Sequence, residues 1–371
     1  MLSRPKTASS DAGADLRILF LGDVVGRTGR DAVAAKLPEL RRDLRIDLAV
    51  VNAENASHGF GLAPDMARTL FAAGADVITL GNHAWDRKEI IPFIAETPRL
   101  IRPLNYPPGT PGNGSVLVTL QDGRKALVLQ AMGRLYMDAL DCPFRGTAEV
   151  LSKYRLGGTV QAIVADIHAE ASSEKMAYGH IFDGQVSLVV GTHTHCPTAD
   201  AQVLPGGTAF QSDAGMSGDY DSVIGMVKSG ATLRFWRKMP GEKLGPAEGE
   251  ATICGVFVET DDLTGLARRI EPVRTGGRLA AAMPMACLAP RLDGAPILVA
   301  RGLWWPAYPG TGACTAFAAG VLRCMKRRSS TNSTPIHHKH TGDPWQAIPS
   351  SRTSCTVRVR RTRGAAVSSP G

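Results

Sequence analysis

The sequence predicts an α/β protein with a parallel βα part and an antiparallel part, and three observations predict it. Between residues 16 and 80, apolar runs alternate with helical patterns about every 25–30 residues, the sign of parallel pairing through helical crossovers. Between residues 115 and 130, two strand-like runs flank an Asp-Gly turn, which adds an antiparallel part. Several apolar runs also end in carboxylate, amide or imidazole side chains, and open α/β sheets collect their ligands at the carboxyl ends of strands.

Residues 1–15 are small and polar, expected as a disordered extension. Residues 16–21 suit a central strand and end in Gly22-Asp23. Thr28 is the expected cap of a helix reaching about Arg42. The intervening glycine-rich loop lacks the Gly-Lys-Ser/Thr ending of a nucleotide P-loop, so it reads as a tight turn presenting Asp23. Residues 47–51 form the second strand, ending in Asn52-Ala53-Glu54-Asn55, with a loop bearing His58, Gly59 and Gly61 behind it. A helix over 64–73 leads to the third strand, 75–80, which ends in Gly81-Asn82-His83-Ala84-Trp85-Asp86.

The middle of the chain changes character. A short strand is expected at 100–104, then the hairpin of 115–120 and 125–130 around Gln121-Asp122-Gly123-Arg124. Residues 162–167 form a strand closed by His168, and a helix starts at 172. Residues 186–190 form a buried strand that runs into Gly191-Thr192-His193-Thr194-His195. If that segment stays extended, His193 and His195 point to the same side and Cys196 points away. Further strands are expected at 208–213, 252–258 and 267–273, with a turn at 261–265.

After about Met283 the periodicity ends. From Pro284 onward the chain carries 12 Lys and Arg against 2 Asp, a net of +10, so the net charge of +8 leaves the first 283 residues at −2. The basicity therefore says nothing about the ligand of the body, and nucleic acid is expected only through this tail, residues 284–371. Four of the seven cysteines also fall there, and the tail reads as a low-order extension. The body, residues 16–283, is expected to be one domain. An odd cysteine count without a Cys-x-x-Cys pair argues against a disulfide framework or zinc ribbon and favours a reducing compartment. With no signal-peptide core and no long apolar run, the expected location is cytoplasmic, away from the membrane.

Collected together, the polar strand ends are Asp23, Glu54, Asn55, Asn82, His83, His168, His193 and His195. Each alone has a plain structural reading: Asp23 as a cap, the asparagines as turn residues, His168 as a core histidine. Eight such groups in five places point to metal. A mixture of carboxylate, amide oxygen and imidazole suits borderline metals such as iron, manganese, zinc or cobalt. Two metals about 3.5–4 Å apart need a bridging ligand, and Glu54 has two oxygens to offer.

The order Gly22-Asp23-Val24-Val25-Gly26, Asn52-Ala53-Glu54-Asn55, Gly81-Asn82-His83, a lone His168, Gly191-Thr192-His193-Thr194-His195 and Asp213-Ala214-Gly215-Met216 resembles the calcineurin-like metallophosphoesterases. Within them it is similar to the YmdB-type cyclic-nucleotide phosphodiesterases, over about residues 16–284. Val25 stands where the common pattern has a histidine, and Glu54-Asn55 where it has a bridging aspartate, both typical of that branch. The resemblance implies a calcineurin-like α/β sandwich of two mixed β-sheets flanked by helices, and two divalent or trivalent metal ions, iron first, with manganese or zinc as alternatives. Asp23, Glu54, Asn55 and His195 would hold one, and Glu54, Asn82, His168 and His193 the other. It implies His83 as proton donor rather than ligand, and hydrolysis of 2',3'-cyclic nucleotides by a metal-bridging hydroxide, with 3',5'-cyclic nucleotides as further candidates. The charges agree: only Asp23 and Glu54 are anionic, so two divalent ions leave about +2 to attract a phosphodiester. Asp86 is placed to orient His83, and Arg27 either touches phosphate or is a solvated helix-start arginine. The rival functions are a phosphomonoesterase or nucleotidase on the same metals, and a regulatory or RNA-associated protein with a structural metal site. The expected partners are a small cyclic nucleotide and, in a homo-oligomer, further copies of the chain.

Overall fold

The computed structural model describes residues 15–239 and 243–285. The extensions expected at 1–15 and 284–371 lie outside the described residues, apart from Asp15, Pro284 and Met285. Strand β1 (Leu16–Leu21) shows how the sequence makes layers. Leu16, Ile18 and Phe20 enter one apolar cluster and Leu19 and Leu21 another, as the two-residue period of a strand requires. β2 (Asp23–Val24) and helix α1 (Gly26–Leu44) follow. The helix begins three residues ahead of expectation, with Val25 in the extended cap position and no side-chain cap. Thr28 is thus not the cap; it lies inside the first turn with its hydroxyl buried and unpartnered. The start is set by packing instead, since a Cβ on Gly29 would collide with the Ser217 carbonyl.

β3 (Leu48–Asn52), α2 (Pro64–Ala72), β4 (Val77–Thr79), α3 (Ile90–Glu96) and β5 (Leu100–Ile101) complete the first βα half. β1, β3, β4 and β5 pair in parallel, in that order. The hairpin is β6 (Ser115–Thr119) and β7 (Lys125–Met132), antiparallel around Gly123 at φ 90°. Then come α4 (Pro143–Leu151), β8 (Ala162–His168), α5 (Ser172–Ile181) and β9 (Leu188–Thr192), with β7, β8 and β9 parallel. β10 (Gln202–Val203), β11 (Ala209–Gln211), β12 (Met216–Asp219), α6 (Lys228–Arg237), β13 (Ala251–Thr260) and β14 (Ala267–Thr275) close the described fold.

Among the described residues the strands form two mixed sheets. One runs β2-β12-β13-β1-β3-β4-β5, with β14 on β13; the other runs β10-β11-β9-β8-β7-β6. Leu16, Phe20, Val50 and Val256 of the first sheet meet Val128, Val164 and Val190 of the second in a shared apolar layer. Helices α1 and α2 cover the outer face of the first sheet through Val33, Leu37, Ala67 and Leu70. Helix α5 covers that of the second through Tyr178, beside Phe182. Each fully buried Leu, Val or Phe contributes about 1.5–3 kcal/mol, so the two sheets and their helices hold their strand ends at fixed separations. The ends of β1, β3, β4, β8 and β9 carry the polar residues picked out above.

Candidate metal centre

Asp23 opens β2, two residues past the end of β1, fully buried, and its carboxylate accepts the His193 backbone N–H at 3.2 and 3.4 Å. Glu54 follows β3 and is equally buried. Its Oε1 lies 3.2 Å from His168 Nε2 and accepts a 3.2 Å bond from the Asn55 amide, while Oε2 accepts the His83 backbone N–H at 3.3 Å. Asn82 Oδ1 is 2.8 Å from His168 Nε2. Two groups of ligand atoms therefore form: Glu54, His168 and His193, and Asp23, Glu54 and His195, with all atoms of each group within 4.8 Å of one another. Glu54 belongs to both. These groups hold five of the seven expected ligand residues, Asn55 and Asn82 touch them through His195 Nε2 at 3.1 Å and His168 Nε2 at 2.8 Å, and His83 stands at the edge, outside both groups.

The approach is close enough that β4 must be followed by glycine. A Cβ on Gly81 would lie inside the contact radii of Glu54 Oε2 and His168 Nε2. Gly81→Ala is accordingly expected to push these two side chains apart and strip at least one metal. Metal content and melting temperature measured together check it: metal falls, and the fold survives.

The histidine pair does not sit as an extended segment predicts. β9 ends at Thr192, and His193 and His195 adopt φ 96° and 65°, in the left-handed region that side chains other than glycine rarely enter. The chain turns back sharply here, so the two imidazoles serve different groups rather than one face. Buried Asp213 holds the turn: it accepts the Thr194 N–H at 3.1 Å, the Thr194 hydroxyl at 2.7 Å and the Lys175 ammonium at 2.7 Å. Lys175 is itself buried. Breaking one partner of such a buried pair costs about 3–5 kcal/mol, which anchors the strained backbone. Cys196 is exposed and offers the site no thiolate.

A second layer sets each ring's tautomer. Thr192 donates its hydroxyl to Asp166 Oδ1 at 2.7 Å, so His168 Nδ1–H must donate to Thr192 Oγ1 at 2.9 Å, which directs Nε2 inward. His195 Nδ1–H donates to the Ile224 carbonyl at 2.8 Å, leaving the Nε2 lone pair facing Asn55. Glu170 lies 3.2 Å from His193 Nε2 and leaves Nδ1 for the site. Sequence reasoning alone misses Asp166, Thr192, Glu170, Lys175 and the Ile224 carbonyl. Asp166 does carry a signal, being a carboxylate inside an apolar strand two residues before His168 and so on the same side.

The electrostatics of the cluster fit cations. Burial pushes the Asp23 carboxyl up to about 7, against the pull of His195 and His168. Among the described residues its hydrogen-bond donor is the His193 backbone N–H, a poor substitute for a counter-charge at full burial. Burial also works to raise Glu54, but the charge and hydrogen bond of His168 outweigh it and hold the carboxyl low; the same pairing raises His168. His193 is pushed down to about 3 by burial and then by His168, so it is a neutral imidazole. Two buried carboxyls with imidazole nitrogens and amide oxygens around them form a donor set for borderline metals, a cation taking the place of the His168 proton beside Glu54.

Residues 19–273 match the family model of the YmdB-like proteins. The chain belongs to the YmdB-like family. A 2',3'-cyclic-nucleotide 2'-phosphodiesterase of Bacillus subtilis (strain 168) is 43% identical over 258 residues, 70% of this chain and 96% of that protein. A crystal structure of a hypothetical protein from Thermus thermophilus shares 41% identity at TM-score 0.66, covering 71% of this chain and 100% of the other. A novel phosphatase from Mycoplasma pneumoniae shares 31% at TM-score 0.65, covering 74% and 97%. The two-sheet sandwich is thus the family's fold, and the YmdB-like match spans every strand end that contributes to the cluster. His83 and Asp86 of this YmdB-like chain are 2.9 Å apart through Nδ1 and Oδ2, the orienting pair expected from their spacing. Arg27 instead faces Glu248 at 3.8 Å with both side chains largely exposed, the solvated reading.

Proposed function

We propose that the chain is a two-metal phosphodiesterase that opens 2',3'-cyclic nucleotides, with 3',5'-cyclic nucleotides as further substrates. The observation that carries this is the buried carboxylate of Glu54, common to two ligand groups. Asp23, Glu54, Asn55 and His195 would hold one cation, and Glu54, Asn82, His168 and His193 the other. When bound, such a pair supplies positive charge to the phosphate and acidifies a water between the ions. Iron leads by family, with manganese or zinc compatible with the donors. The chain's own contribution is orientation and a proton. Asp86 fixes the His83 ring through Nδ1, so His83 presents Nε2 to the departing ribose oxygen. The bacillary relative's name, 2',3'-cyclic-nucleotide 2'-phosphodiesterase, supports cleavage at the 2' oxygen, leaving a 3'-monoester.

Cys142, Cys196 and Cys254 are free thiols, which suits a cytoplasmic setting, and no helix among the described residues is long and apolar enough to cross a membrane. The mycoplasmal relative is called a phosphatase, which supports a second reading as a phosphomonoesterase on the same residues. Hydrolysis of 2',3'-cyclic AMP beside adenosine 3'-monophosphate separates them, with metal content measured on protein purified without added metal. The expected result is about two metals per chain, opening of the diester and a much slower monoester reaction. Faster release of phosphate from the monoester would select the second reading.

A further inference from the structure

We propose that the groove between the loop of residues 57–61 and the segment of residues 243–246 is the nucleoside subsite, with Phe60 as its stacking surface and Lys243 at its rim. The proposal rests on the phosphodiesterase reading above. When a 2',3'-cyclic phosphate opens, the oxygen that leaves phosphorus stays on the ribose. The nucleoside must then lie on the side of the group that protonates that oxygen, here His83.

A cavity of about 550 Å³ is lined there by His58, Phe60, Asp86, Arg87, Lys243 and Leu244, with Gly245 and Pro246 behind. Its size falls in the range of small-molecule sites. Two of its lining residues are the ones that touch the His83 ring. Asp86 bonds Nδ1 at 2.9 Å, and Phe60 meets the ring edge-on with centroids 5.0 Å apart. The cavity therefore shares a wall with the proton donor.

Both rims are rigid. His58, Gly59 and Gly61 have φ 55°, 85° and 76°, and Ser57 N–H closes the loop on the Gly61 carbonyl at 2.9 Å. Arg87 clamps it by donating to the carbonyls of Phe60 at 3.2 Å and Ser57 at 3.0 Å. On the other side, Val227 N–H donates to the Gly245 carbonyl at 2.9 Å and Ala247 N–H to that of Gly225 at 2.8 Å. These bonds tie the segment to the turn whose Ile224 carbonyl holds His195. A half-buried aromatic ring beside exposed His58 and Lys243 provides a stacking surface and hydrogen-bond donors for a base. Of the other wall residues, Leu244, Gly245 and Pro246 are apolar, Arg87 is engaged in holding the loop and Asp86 in holding His83.

The test compares 2',3'-cyclic AMP with glycerol 1,2-cyclic phosphate, a diester of the same strained ring without a base. Wild-type, Phe60→Ala, Lys243→Ala and Arg145→Ala proteins are assayed on both. Arg145 lines a separate cavity of about 510 Å³ with Arg102 and Tyr106 and serves as control. For Phe60→Ala and Lys243→Ala, KM for the nucleotide is expected to rise about tenfold more than KM for the glycerol diester, the loss of one stacked base or its donor. Equal losses on the two substrates, or no loss, would overturn the assignment, as would a nucleotide-selective loss in Arg145→Ala. Failure of the wild-type protein to open either diester would instead overturn the phosphodiesterase reading beneath it.

Discussion

Glu54→Gln is expected to abolish turnover and to release at least one cation. The substitution keeps shape and volume while removing the one charge shared by the two ligand groups, Glu54 with His168 and His193, and Glu54 with Asp23 and His195. It also turns an acceptor-only carboxylate into a group that presents N–H to neighbours already supplied with donors, the Asn55 amide and the His83 backbone. The loss in kcat should be about 10³-fold or more, the scale on which removal of a central electrostatic element acts. Metal analysis and single-turnover assays on the same preparation check it. A variant that keeps two metals and its full rate would show that Glu54 does not bridge.

His83→Ala should behave in the opposite way, keeping both metals while kcat falls by about 10²–10⁴-fold. Its ring belongs to neither ligand group, stays partly exposed, and is tethered by Asp86 rather than by a site carboxylate. The defect should shrink for bis(p-nitrophenyl) phosphate, whose leaving phenolate departs without a proton. A defect of equal size on both substrates would remove His83 from proton donation, and loss of metal would make it a ligand.

Much of this is visible in the chain before any coordinates. The apolar runs at β1, β3 and β8 are short, dense and terminated by polar residues, so the strands and their ligand-bearing ends follow from periodicity alone. The Asp-Gly hairpin and the long β13 are equally plain. What escapes detection is made by tertiary contacts. β12 contains Ser217 and Gly218, poor strand formers, and exists because α1 packs on it through Gly29 while β2 and β13 pair with it. α4 opens on Pro143 and includes Gly146, and its Phe144 and Leu151 find their partners only in the cluster beneath the second sheet. α6 has little apolar periodicity, with Phe235 and Trp236 exposed. The histidine turn departs from the extended reading for the same reason. Its left-handed backbone depends on Asp213 and Lys175, which both lie far along the chain from Thr194, and local sequence carries no trace of that brace.

The placement of β13 has a consequence for how such a protein is made. Its partner β1 comes earliest in the chain among the described strands, yet Leu16 faces Thr260, and Asp23 is paired beside Met216. Until that late segment has been synthesised, β1 keeps an open hydrogen-bonding edge, and Asp23 and His195 lack the Met216 pairing and the Ile224 carbonyl that place them. Contacts this distant along the chain form slowly. The candidate ligand cluster is therefore completed late in synthesis, and the nascent chain is most exposed to misassembly while β1 waits for its neighbour.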